Sequence, residues 1–270
     1  MDGKTHRGYQ AGEDEGPLHL VHACATSSGI TLGQEAVKEK SNEITAIPEL
    51  IDAVVLGGQL VTIDAMGCQR KIAEKLISKK ADYLLGLKGN QSLLHADIKL
   101  YFENETLRKR AIFAEESDKG HGRVEHRECY VTDKIDWLAQ RKDWAGLRSI
   151  IQLNSTTYCQ GSEQGETRYY ISSLSANEVK LILQATRAHW RVESMHWTLD
   201  VTFKEDSRLI WDRNVAQNES IIRRVAMNLL KQYQLKIKPL RGKEKIALKS
   251  LRKILIADDE AMFALLHGNL

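Results

Sequence analysis

No run in this sequence is long and apolar enough to span a bilayer; the hydrophobic stretches are of the length seen in "IPELIDAVVLGG". The residues after Met1, "DGKTHRGYQAGEDEGP", contain no apolar core, so a secretory signal is not expected. Cysteine is scarce: Cys24, Cys68, Cys129 and Cys159 lie far apart and form no CxxC pair. That pattern excludes a disulfide framework or a zinc ribbon and predicts four reduced thiols in a cytoplasmic protein. There is no internal repeat and no low-complexity tract, which excludes a solenoid. What remains is 270 residues with 42% hydrophobic and 28% charged content, enough for one large domain or one domain carrying an insertion.

The net charge is only +3, but it is unevenly spread. From Arg208 to Lys253 thirteen lysines and arginines face three acids, a net of +10 that leaves −7 for the rest of the chain. A basic tail region behind an acidic body suits a polyanionic partner, although basic helices are also often no more than solvated faces.

Two strand-like runs come first, "LHLVHACAT" and "ITLGQEAV", joined by the turn signal "SSG". A helix follows in "SNEITAIPELIDAV", with Ser41 and Asn42 as candidate caps and Ile44, Ile47, Leu50, Ile51 and Val54 at helical spacing. Then come a buried-type strand "LVTID", an amphipathic helix "CQRKIAEKLISKK", a second strand "ADYLLGLKG" and a helix "SLLHADIKLYFE". The order β-β-α-β-α-β-α predicts a mixed sheet with helices on its faces. Residues 105–175 read as a β-rich insertion with strands at "RVEHRECYVT", "LRSIIQLNSTTYC" and "TRYYISSL", a short helix near "KIDWLAQ", and a loop "GSEQGE". The last strand is expected to return to the sheet. Beyond Ser175 the chain reads as helical, with long helices near 177–206 and 215–233 and shorter basic ones after them.

Asp64 ends a buried strand, where α/β proteins present side chains to ligands; an Asp before a helix is equally a common N-cap. Asp2, in "MDGKTHRG", is either a second carboxylate on a strand or part of a frayed terminus. The stretch "HWRVESMHWTLDVTFKED" holds Glu193. At 100° per residue, Thr186, His189, His196, Trp197, Asp200 and Lys204 fall near Glu193, while Val192, Met195, Leu199 and Phe203 form a separate apolar stripe. This is one face for the core and one polar-aromatic face, either a site or the flank of a core helix. His189, Glu193 and His196 lack HExxH spacing, which disfavours zinc. Separated carboxylates suit Mg²⁺ or Mn²⁺.

The blocks "DGKTHRG", "LHLVHA", "EKSNEITAIPELID", "VTIDAMGCQRKIAEK", "ADYLLGLKGNQ", "GHGRVEHR", "YYISSL" and "HWRVESMHWTLDVTFKED" occur in this order. In them the chain closely resembles the H-repeat-associated (ISAs-type) transposases of bacterial insertion sequences, within the insertion-sequence-four-like DDE group. The resemblance covers nearly the whole chain. It implies a ribonuclease-H-like α/β fold in four segments: 1–104 and the catalytic helix 176–206 form the core, 105–175 the β-rich insertion, and 207–270 a basic helical C-terminal region. It implies that Asp2, Asp64 and Glu193 are the catalytic and metal-binding acids, with two Mg²⁺ (or Mn²⁺) ions. The implied reaction is DNA strand cleavage and strand transfer at element ends, with double-stranded DNA as partner. A homodimer in the synaptic complex and a cytoplasmic, nucleoid-associated location follow from the same resemblance.

Two departures from the wider group stand out. Its Tyr, Arg, Glu and Lys around the catalytic glutamate are here Thr186, His189, Glu193 and Asp200. His189 is expected still to touch DNA phosphate, and Lys204 to stand in for the lysine. The chain also starts one residue before its first acid, so the first strand is expected to be truncated and the product weakly active or inactive; the alternative is a catalytically inactive DNA-binding remnant. Further expected DNA contacts are Lys88, His121, Arg123 and His196, with Arg127 of the GHGRVEHR block. Arg223, Arg224 and Lys231 are expected on the exposed face of the amphipathic helix "NVAQNESIIRRVAMNLLKQY", with Arg223 and Arg224 as further DNA contacts.

Overall fold

A computed structural model describes residues 1–12, 15–38, 42–120, 122–237 and 246–268. Strands β1 (Asp2–Thr5), β2 (His19–Ala25) and β3 (Ile30–Ala36) precede α1 (Glu43–Ala53), β4 (Leu60–Ile63), α2 (Arg70–Ser78), β5 (Asp82–Leu87) and α3 (Ser92–Glu103). The expected β-β-α-β-α-β-α order is therefore present, with β1 ahead of it. Next come α4 (Glu105–Arg108), β6 (Ile112–Gly120), β7 (Arg123–Thr132), β8 (Ser149–Cys159) and β9 (Ser162–Ser172). The chain closes with α5 (Val179–Val201), α6 (Arg213–Lys236), α7 (Leu248–Ala257) and α8 (Asp259–Leu266). No helix among the described residues is long and apolar enough to cross a membrane.

The chain forms two compact units. The first holds Met1 and residues 43–189. Its six-stranded sheet has the order β4-β5-β9-β8-β7-β6, with β4 and β5 parallel and all other neighbours antiparallel. The last strand does return to the sheet, since Leu84 to Leu87 of β5 pair with Tyr169 to Ser172 of β9. Leu84, Cys129, Val131, Ile151 and Leu153 from the sheet are buried against Val179, Ile182 and Leu183 of α5.

Three local expectations are corrected here. The run 112–120 is a strand although it is largely polar, because Ile112 to Gly120 pair in full with β7. The stretch "GSEQGE" is not a loop. The turn is only Gln160-Gly161, whose φ values of 49° and 79° suit a two-residue hairpin of the I′ kind, and Ser162 already pairs with Cys159. The short helix near 134–140 is instead a 3-10 turn at Ala139–Asp143. Ser41 lies outside the described residues.

The second unit holds residues 2–42 and 190–270. Its sheet is an antiparallel β1-β2-β3 meander, so Asp2 is not on a frayed end: it pairs with His22, and Lys4 with Leu20. Helix α6 covers β3. The Asn228 side chain accepts from Thr31 N–H at 2.9 Å and donates to Thr31 C=O at 2.8 Å, which occupies an edge strand's outward backbone groups. The predicted apolar stripe of α5 is the core here: Val192, Met195 and Leu199 are buried with Met227, and Phe203 packs on them.

Candidate active site

In the first unit the element that matters is the end of β4. Val61 and Ile63 are buried, and Asp64 follows as the strand ends. The N-cap alternative fails, because α2 starts at Arg70 and Gln69 occupies its cap position. Asp64 instead starts a tight loop and its Oδ1 lies 3.4 Å from the Gly67 N–H that donates to it. Asn90 donates to Ala65 C=O at 2.5 Å and Gln91 to Cys68 C=O at 3.0 Å, so the "LKGNQ" block braces this loop. Gly86 on β5 lets the backbones close up. A Cβ there would lie 3.1 Å from Ala65 N and 3.4 Å from the Asp64 carbonyl carbon.

Burial raises the carboxyls of both Asp200 and Asp64, and of the two only Asp64 stands at the end of a sheet strand. Burial pushes its carboxyl above the ordinary range, and the charge of Glu43 pushes the same way, against weaker opposition from backbone N–H groups. A desolvated carboxylate with a second acid nearby is stabilised in its charged form by a cation, and its oxygens are hard donors. Cys68 is no alternative nucleophile, since burial pushes its thiol up to about 12.

His189, expected to touch DNA phosphate, is half-buried. Its Nδ1 is hydrogen-bonded to Thr62 Oγ1 at 2.9 Å. Burial first, then the N-terminal ammonium and Arg168, lower its pKa to about 3, so the ring is neutral at physiological pH. Thr186 is buried and donates to Leu183 C=O. Lys88 and Arg123 are exposed, whereas Arg127 is buried against Glu116 at 2.7 Å and Glu125 at 3.6 Å. His121 lies outside the described residues.

In the second unit, Asp2 and Glu193 sit on β1 and α5. Glu193 is exposed between buried Val192 and Met195. His196, expected to face DNA, is mostly covered: its Nδ1 lies 3.7 Å from Asp2 Oδ2 and its Nε2 3.2 Å from His22 Nδ1. Lys4 is held by three acids. It contacts Asp200 directly, Glu205 at 2.8 Å and Asp206 at 3.3 Å. Although burial opposes it, the Glu205 charge and the hydrogen bonds that Lys4 donates to Asp200 and Glu205 raise the pKa of Lys4. Asp200, Glu205 and Asp206 are close enough to hold a metal ion together, but the Lys4 ammonium already serves as their cation.

Glu205 also pairs with Arg224 at 2.6 Å, and both are buried. Burial alone would raise the Glu205 carboxyl, yet Arg224 and Lys4 outweigh it and hold it down to about 2. Arg224 is thus a structural cation, not the exposed residue predicted. Arg223 pairs with Glu219 at 2.8 Å, and Lys231 donates to Gly29 C=O. Lys204 is exposed but outside α5, in a left-handed conformation with φ 52°, so it does not continue the Glu193 face. Sequence reasoning missed Lys4, His22, Glu205, Asn90 and Gln91. For Lys4 and Asn90 the conspicuous "DGK" and "LKGNQ" blocks were available signals.

A family model described as "Transposase DDE domain" matches residues 1–229. The chain is 40% identical over 238 residues to "Putative transposase YncI" of Escherichia coli O157:H7, covering 86% of this chain and 61% of that protein. It is 39% identical over 239 residues to "H repeat-associated putative transposase YhhI" of Escherichia coli (strain K12), covering 85% and 63%. It is 41% identical over 177 residues to "Uncharacterized protein in dhlA 3'region" of Xanthobacter autotrophicus, covering 66% and 60%. The matched parts thus amount to about three-fifths of the length of these curated relatives.

Proposed function

Because the chain belongs to the transposase DDE domain family, we propose that it cleaves DNA strands at the ends of an insertion element and joins them to target DNA, with Asp2, Asp64 and Glu193 as its metal-binding acids. The observation that carries this reading is Asp64: a strand-end carboxyl whose own burial, reinforced by Glu43, penalises its charge. Such a group is costly in a merely structural role and useful as a cation ligand. All three side chains offer hard carboxylate oxygens, which fits Mg²⁺ or Mn²⁺. Asp2, Asp64 and Glu193 would hold such ions, which would supply Lewis-acid activation of water or a DNA 3′-hydroxyl and charge stabilisation for the departing oxygen of the phosphodiester.

The protein's own groups do the holding. The Gly67 N–H donates to Asp64, and Asn90 and Gln91 brace the loop that follows it. The β1·β2 ladder fixes Asp2, and the buried stripe of α5 fixes the helix from which Glu193 projects. No side-chain nucleophile is required, in keeping with the high thiol pKa of Cys68 and Cys129. Exposed Lys88, Arg123 and Lys204 are available to meet backbone phosphate.

Glu193→Gln tests the reading. Cleavage of element-end DNA in Mg²⁺ should fall at least about 10³-fold, while DNA affinity measured by fluorescence anisotropy stays within about twofold. If wild type binds DNA and neither wild type nor variant cleaves it, the chain is a DNA-binding protein without catalysis. Cleavage without strand joining would mark a nuclease.

A further inference from the structure

The contacts between β1 and α5 form a matched pair. Asp2 and Lys4 are alternate residues on one face of β1, about 6.8 Å apart along a strand. His196 and Asp200 are one turn apart on α5, about 6 Å along a helix. His196 meets Asp2, and Asp200 meets Lys4. Behind His196 stands His22, fully buried and the cross-strand partner of Asp2. The two rings meet edge to face with centroids 5.1 Å apart.

With one N–H on each imidazole, the 3.2 Å contact between the two rings has two arrangements. In one, His22 Nδ1–H donates to His196 Nε2, and the His196 proton sits on Nδ1, facing Asp2. In the other, the His196 Nδ1 lone pair faces a carboxylate, and His22 Nε2–H is a buried donor with no hydrogen-bond partner among the described residues. Lone-pair repulsion and the cost of an orphaned buried donor both select the first. At 3.7 Å the Asp2 contact is longer than a direct hydrogen bond.

We infer that His196, backed by His22, is a positioning residue for Asp2, and that with the Lys4–Asp200 pair it locks the register of β1 on the helix carrying Glu193. The inference rests on the reading of Asp2 as a metal-binding acid. Groups that orient a carboxylate in this way are worth about 10–100-fold in metal affinity.

The test is Mn²⁺ binding to the full chain, followed by electron paramagnetic resonance. His196→Phe keeps a ring and loses the donor, and should weaken Mn²⁺ binding about 10–100-fold. His196→Asn places an amide N–H near the Nδ1 position and should retain most of the affinity; His196→Gln, which reaches the Nε2 position, should not. Asp2→Asn is the reference. If it binds Mn²⁺ like wild type, the reading of Asp2 is overturned and the inference with it. If Asp2→Asn loses affinity while His196→Phe keeps it, the inference alone is overturned. Imidazole ¹⁵N–¹H spectra of the unmodified chain give a check free of folding defects: Nδ1–H tautomers at His196 and His22 support the lock, and Nε2–H at His196 refutes it.

Discussion

Asp64→Asn is expected to abolish Mg²⁺-dependent DNA cleavage, by at least about 10³-fold, while leaving the metal-free protein as stable as wild type or more so. The two halves of this result have one cause. The folded protein raises the Asp64 pKa above its unfolded value, through burial first and Glu43 second. Stability from that group is therefore full below the unfolded pKa and is lost as pH rises through the folded one. At neutral pH the charged carboxylate opposes folding, and a neutral amide of the same shape removes the opposition. The cation that would compensate the charge in wild type should raise its Tm as Mg²⁺ is added, and this rise should disappear in Asp64→Asn. Differential scanning fluorimetry with and without Mg²⁺, beside a cleavage assay, checks both halves. A marked loss of metal-free stability would mean that Asp64 is held in place for structural reasons.

The second large effect concerns stability. Arg224→Met should destabilise the second unit by about 3–5 kcal/mol, a fall in Tm on the order of 10 °C. Glu205 is buried, and Arg224 and Lys4 are the cations within reach of it. Removing Arg224 leaves a buried carboxylate with Lys4, which is also shared by Asp200 and Asp206. Replacing Glu205 and Arg224 together by Leu and Met should recover much of the loss, because the desolvation of both charges is then avoided. The pH dependence has a definite sign. The Glu205 carboxyl, ordinarily near 4.5, is held at about 2 in the folded protein. Its contribution is present above the unfolded value and is lost as pH falls from 4.5 towards 2. Urea titrations at neutral pH and near pH 4 should show Arg224→Met losing less stability on acidification than wild type, because without Arg224 the folded Glu205 carboxyl is held down less.

The helical arithmetic on α5 was legible because period and burial agree. Val192, Met195 and Leu199 are the buried residues, and Glu193 is exposed. The same arithmetic could not show what His189 and His196 touch, since a ring's partner is invisible when it comes from far along the chain. Thr62 stands 127 positions away and His22 174. Helix α6 misled for a related reason. Its buried face runs through Ala216, Ser220, Arg224, Met227 and Leu230, so a serine and an arginine occupy positions that read as surface. Only Glu205, in a 3-10 turn after the left-handed Lys204, explains them. Strand β6 escaped because a hairpin with both faces largely wet carries little hydrophobic alternation, and its pairing with β7 is backbone work. Asp64 was located by its place at a strand end. What set it apart from a helix cap was the cap at Gln69 and the pKa shift, neither of which the sequence contains.

The central claim is that Asp64 acts as a metal ligand, and Asp64→Cys tests it most directly. Sulfur binds Mg²⁺ poorly and accepts softer ions more readily. Cleavage of element-end DNA by Asp64→Cys should be absent in Mg²⁺ and partly restored in Mn²⁺. Wild-type cleavage in Mg²⁺, or equal rates in the two metals, would contradict the account.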